Sequence, residues 1–167
     1  MRLFSKASEY AIRAMMQAVA RDRAGGSSRF SPKDICQEAG IPEAFARKAF
    51  QELAKVHILQ GTRGPGGGYR FARSLSDVSL LDIVLAVDGD GVFEYCPLGF
   101  QCGADAGRGG LHACESCTQT HPACGLCHIC PLHSLWKEAR QLVVRHLKNT
   151  SLQDVCDHLR PLPPSNM

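Results

Sequence analysis

Apolar residues return every three or four positions near the start of the chain. Ala7, Tyr10, Ala11, Ala14, Met15, Ala18 and Val19 form that series and predict an amphipathic helix over residues 5–21. Glu9 and Arg13 stand four residues apart on another face and are expected to pair. After the loop RAGGSSRF, Ser31-Pro32 opens a second helix. Serine suits the N-cap, and proline suits the first helical position, where its missing N–H costs nothing. Gly40 stops this helix, and the turn GIP leads into a third over 42–55. There Phe45, Ala46, Ala49, Phe50 and Leu53 make one apolar stripe, with Glu43, Arg47, Lys48 and Gln51 off it. Two helices joined by a short glycine-containing turn are the helix-turn-helix pattern, whose second helix enters the DNA major groove.

The pattern then changes period. Ile58 to Thr62 and Tyr69 to Arg73 are short strand candidates joined by a glycine-proline loop. A hairpin directly after a helix-turn-helix is a wing. Ser79-Leu-Leu-Asp82 resembles a capping box with aspartate in place of glutamate, opening a helix to about Val87 that Asp88-Gly89 ends. From Pro131 to Lys148, Leu132, Leu135, Trp136, Ala139, Leu142, Val143 and Leu147 keep the three-four spacing. A narrow seam of that kind is what two packed helices need. A short helix, 152–159, follows.

The expected fold class is mainly α with a small β wing: a winged helix-turn-helix plus a long C-terminal dimerisation helix. Residues 1–78 would be the DNA-binding domain and 79–95 a connecting helix. Residues 96–133 would be a cysteine-rich metal-binding segment. Residues 131–160 would carry the dimerisation helix and the short helix, and 161–167 a disordered tail.

Composition adds constraints. A net charge of +3 permits nucleic-acid binding without demanding it, so local placement decides. Lys6, Glu9 and Arg13 interrupt the N-terminal stretch where a secretory signal needs an apolar run. The apolar run Val78 to Val87 is too short to span a bilayer. A cytoplasmic protein without membrane partners is expected. In that compartment thiols stay reduced, so clustered cysteines point to metal or redox chemistry.

The wing loop RGPGGGY carries the DNA chemistry. Gly66, Gly67 and Gly68 allow close backbone approach to a phosphate or groove floor, and Tyr69 next to them is counted with them among the expected DNA-binding residues. Arg63 is the residue type drawn to the negative potential of a narrow minor groove. On the third helix, Arg47 and Lys48 suit phosphates, while Glu43 and Gln51 suit base edges. The plain alternative for these four is a solvated helix face. A nucleotide-binding P-loop is excluded, because no Lys-Ser or Lys-Thr follows the glycines.

Seven of the nine cysteines fall within residues 96–133: Cys96, Cys102, Cys114, Cys117, Cys124, Cys127 and Cys130. Thiolate and imidazole are donors that iron–sulfur clusters and zinc select. Cys114-x2-Cys117-x6-Cys124-x2-Cys127 is a compact pair of knuckles for one structural zinc. Cys124-x2-Cys127-x2-Cys130-Pro131 resembles the bacterial ferredoxin run that supports a four-iron cluster. Metal-free redox chemistry of vicinal thiols is a third reading. Cys124-Gly-Leu-Cys127-His128 matches a haem-attachment pattern, but that belongs to exported proteins. Cys36 and Cys156 lie apart, at helical positions where a free cysteine packs as a small hydrophobe.

The opening MRLFSKASEYAIRAM, the wing TRGPGGGYRF, the stretches LLDIVLAVDG, CPLHSLW and NTSLQDV, and the spacing Cys96-x5-Cys102 together resemble one family over about residues 1–160. It is the Rrf2 family of winged-helix transcription regulators, which includes the IscR/NsrR-like iron–sulfur sensors. The resemblance implies a homodimer on double-stranded operator DNA, controlled by a two-iron or four-iron cluster. It assigns the three cysteine ligands to Cys96, Cys102 and Cys130. The fourth ligand would be His133 in one branch, or Glu9 from the partner subunit in the other. Arg63 matches the family's minor-groove arginine. The chain departs from the family in one respect. Its second and third ligand cysteines are separated by 27 residues, 103–129, where the family has only a few. Four additional cysteines lie in that insertion, for which zinc is the candidate occupant. The rival outside this class is a small iron–sulfur electron-transfer module, which would leave the wing unused.

Overall fold

The computed structural model describes residues 5–24, 29–64, 66–93 and 132–158, with backbone alone for 132–134 and 137. Helices α1 (Lys6–Arg23), α2 (Pro32–Ala39) and α3 (Glu43–Lys55) come first. Strands β1 (Leu59–Thr62) and β2 (Gly68–Phe71) follow, then α4 (Leu80–Asp88), α5 (Leu132–Asn149) and α6 (Leu152–His158). Short 3-10 turns occupy Leu75–Asp77 and Asp90–Phe93.

Local chemistry sets the boundaries. The Ser31 side chain accepts from the Asp34 N–H, with Pro32 at the first helical position. Gly40 ends α2 in the left-handed conformation at φ 63°, and the Ile41 N–H reaches the Cys36 carbonyl. α3 ends the same way with a poorer residue: His57 takes φ 57°. The Ile58 N–H then bonds the Leu53 carbonyl and the His57 N–H bonds that of Ala54, closing a Schellman motif. Ile58 therefore belongs to the helix end, and β1 begins one residue later than the strand expected from Ile58. At Ser79 the capping box forms as expected, with Asp82 reaching back to the Ser79 N–H at 2.9 Å.

β1 and β2 pair antiparallel, with Leu59 opposite Phe71 and Gly61 opposite Tyr69. Phe30 adds a bridge to Tyr69. The core joins α1, α2 and α3 to the inner face of this hairpin: Phe30 meets Phe50 edge-on and Phe71 at a tilt, and Phe50 meets Tyr69 edge-on. Met15, Ile35, Phe50, Leu53, Ile58 and Ile83 are fully buried in it.

The last helix returns to this core. Leu152 is fully buried within it, and its N–H bonds the Val78 carbonyl at 2.7 Å. The Leu80 N–H in turn reaches the Thr150 carbonyl at 2.9 Å. These bonds pin the α5–α6 junction to the start of α4.

Two pairings differ from expectation. Glu9 pairs with Lys6 at 2.8 Å and not with Arg13, whose guanidinium donates to the Ala39 carbonyl at 2.9 Å. The carbonyls of a helix's last turn lack internal partners, and Arg13 satisfies one of them. Phe45 also leaves the expected stripe. It is 47% exposed, with its ring edge against Tyr10 of α1 at 5.5 Å. The seam expected on α5 divides between two faces. Val143 and Leu147, with Val144, pack on Leu81, Val84 and Phe93, whereas Leu135 and Leu142 are 62% and 53% exposed.

Candidate nucleic-acid interface

α3 buries Ala46, Ala49, Phe50 and Leu53 and turns its other side to solvent. Glu43, Arg47, Lys48 and Gln51 are all exposed there. Arg47 is ion-paired with Glu43 one turn away. Lys48 has no carboxylate partner among the described residues.

The wing stands next to α3, held by the aromatic contacts of Tyr69 and Phe71 beneath it. At its tip Gly64 and Gly66 take φ of 105° and 75°, which only glycine adopts without strain. Gly67 is required for space: a Cβ there would meet the Gly64 carbonyl oxygen at 2.8 Å and the Thr62 oxygen closer still. Gly68 is packed against the Phe30 backbone. Arg63 is exposed at the loop start and has no carboxylate partner among the described residues. Tyr69 is half-buried, with its ring edge-on to Phe50 at 5.3 Å.

One cation that the motif reading overlooked stands on the same hairpin. Arg70 lies directly opposite Gln60 in the register, and its Nε and Nη2 both donate to Gln60 Oε1, at 3.1 and 2.7 Å. The signal was present in the period-two alternation of β2, which sends Arg70 outward because Tyr69 and Phe71 go inward.

Several cations elsewhere are committed internally. Arg21 pairs with Glu38 and Asp34, Arg23 with Asp157, and Lys55 with Glu52.

The expected metal ligands are only partly within view. Cys96, Cys102, Cys114, Cys117, Cys124, Cys127 and Cys130 lie outside the described residues, as does the tail 161–167. His133 falls in the first turn of α5. Glu9 sits in the first turn of α1 with its side chain 42% exposed and its carboxylate bonded to Lys6. The described residues contain no group of three or more metal-ligating side chains. As a donor set, three thiolates with an imidazole or carboxylate suit iron–sulfur ligation. The ends that carry this segment are tied together: the Arg140 guanidinium of α5 donates to the carbonyl of buried Phe93 at 3.1 Å. Burial pushes the Cys36 thiol up, helped by the Glu43 charge, and burial likewise raises Cys156. Both are protonated packing groups, as their helical positions suggested. Among the described residues, no helix is long and apolar enough to cross a membrane.

Comparison with known proteins agrees with this geometry. A family model described as Rrf2, iron-dependent transcriptional regulator, matches residues 4–158. The HTH-type transcriptional regulator IscR of Escherichia coli O1:K1 / APEC is 26% identical over 165 residues, spanning 99% of this chain and 86% of the relative. The structure of CymR (YrzC), the global cysteine regulator of B. subtilis, superposes with a TM-score of 0.65 at 18% identity, covering 96% of this chain and 100% of that one. T. potens IscR gives 0.57 at 19% identity, covering 92% and 85%. At these identities the structural likenesses speak for the fold, a winged helix.

Proposed function

The chain belongs to the Rrf2 family of transcriptional regulators, and from that premise we propose that it binds double-stranded operator DNA as a homodimer under the control of an iron–sulfur cluster. Members of the family are DNA-binding regulators and not enzymes. Family membership removes the electron-transfer module as a reading of the whole chain.

The observation that carries the proposal is the joint exposure of α3 and the glycine wing on one core, with Lys48 and Arg63 left without carboxylate partners among the described residues. In this reading Lys48 and Arg47 hold phosphates while Glu43 and Gln51 meet base edges in the major groove. Arg63 enters the minor groove, and Gly66, Gly67 and Gly68 let the backbone come close. The α5 face bearing Leu135 and Leu142 supplies the subunit contact. A dimer must present its two α3 helices about one DNA turn apart, roughly 34 Å, so small rotations alter affinity.

Cys96, Cys102 and Cys130 would hold the cluster, with His133 or Glu9 as fourth ligand. When bound, an iron–sulfur cluster supplies reversible one-electron chemistry tuned by its ligands and surroundings. Glu9 would have to release Lys6 to serve. Cys114, Cys117, Cys124 and Cys127 offer a second, tetrahedral site suited to zinc. A second reading, a zinc- or thiol-based switch, uses the same cysteines without iron. Anaerobic purification with iron, zinc and sulfide counting separates the two. Iron with sulfide that is lost on serine replacement of Cys96, Cys102 and Cys130 supports the cluster, and zinc alone supports the switch. Loss only on replacing Cys114, Cys117, Cys124 and Cys127 would overturn the ligand assignment.

A further inference from the structure

We propose that Arg70, held by Gln60, is a preorganised phosphate-binding position on the outer face of the wing, taking a backbone phosphate of double-stranded DNA beside the groove that the wing enters. The inference rests on the DNA-binding reading above and adds a contact that no motif supplied.

Three observations converge. The first is chemical. A guanidinium has five N–H donors in a rigid fork. Two nitrogens spend one N–H each on Gln60 Oε1, which leaves three donors in a fixed plane. That is the arrangement suited to bidentate phosphate recognition.

The second is electrostatic. Among the described residues the partner of Arg70 is a neutral amide, so its charge is oriented without being cancelled. Arg47, Arg21, Arg23 and Lys55 each meet a carboxylate instead.

The third is positional. Leu59 is buried, and Tyr69 and Phe71 are locked by ring contacts to Phe50 and Phe30. The register is therefore fixed, and Gln60 and Arg70 must share the opposite, exposed face. Arg70 follows Arg63 by seven positions on the same hairpin, so one DNA backbone can meet both.

The test uses the full-length chain and its Arg70→Ala, Arg70→Lys and Gln60→Ala variants on a 30-base-pair duplex over a salt series. A second duplex of unrelated sequence serves as control. A phosphate contact carries no sequence information, so Arg70→Ala is expected to weaken both duplexes about three- to tenfold and to flatten the slope of log affinity against log salt by about one. Arg70→Lys is expected to keep the slope and lose part of the affinity, since lysine cannot reproduce the fork. Gln60→Ala is expected to behave like Arg70→Lys. Unchanged affinity and slope in Arg70→Ala, with wild type binding normally, would overturn the inference alone. Failure of wild type to bind any duplex would overturn the DNA-binding reading and this contact with it. An unaltered melting temperature in Arg70→Ala confirms that the fold is intact.

Discussion

Asp88, the last residue of α4, clasps Ser5, the N-cap of α1. Its carboxylate accepts from the Ser5 N–H at 3.0 Å and from the Ser5 hydroxyl. Ser5 Oγ in turn accepts from the Ser8 N–H at 3.1 Å, capping α1. One side chain thus fixes both where α1 begins and how α4 lies beside it. The clasp therefore ties the end of α4 to the start of the helix-turn-helix core.

Asp88→Ala should therefore lower stability by about 1 kcal/mol, the scale of a partly solvated hydrogen bond to a charged group. Thermal unfolding would show it. Asp88→Asn, which keeps an acceptor, should recover part of the loss.

Leu152→Ala should cost far more, about 2–5 kcal/mol, because a fully buried leucine leaves a cavity that the core cannot close. It should also loosen the α5–α6 junction that Leu152 pins to Val78. Chemical denaturation measures the loss, and hydrogen exchange at the Leu80 amide should rise with it.

The start of α6 should carry a pH signature. The Ser151 hydroxyl and N–H both bond Asp154, and together they hold its carboxyl below the usual carboxylate range. A depressed folded pKa gives stability that is present above the unfolded value, about 3.9. That stability is lost as pH falls through the lower, folded value. Asp154→Asn should therefore be less stable than wild type near neutrality, and the gap should narrow on acidification below about pH 4. A gap that stays constant with pH would show that the bonds to Ser151 do not depend on charge.

Gly67→Ala probes the wing without touching a charge. The added methyl meets the Gly64 and Thr62 carbonyl oxygens, so the loop must move. DNA affinity should fall about tenfold for a displacement costing about 1–2 kcal/mol. Because the tip lies outside the core, melting should change little.

Much of this was legible in the sequence. Ser31-Pro32, Gly40 and the Ser79–Asp82 box speak through local hydrogen bonds, and the structure places those helix ends within a residue or so of expectation. What local pattern misses is tertiary choice. Arg13 had Glu9 within reach but bonds the end of α2, and a periodic stripe could not tell that Phe45 would stop at Tyr10 outside the core. The two faces of α5 were merged for the same reason: both are apolar, and only packing on Phe93 separates Val143 from Leu142. Arg70 carries no motif signal, and only the strand alternation that turns Tyr69 and Phe71 inward marks it as outward-facing.

The proposed metal at Cys96, Cys102 and Cys130 would govern how this winged helix meets DNA. The direct measurement is the affinity of one operator duplex for anaerobically prepared protein that contains iron and sulfide, before and after chelation removes both. The account predicts a change of at least about tenfold, or about 1.4 kcal/mol. Equal affinity in the two states, with intact fold, would contradict it.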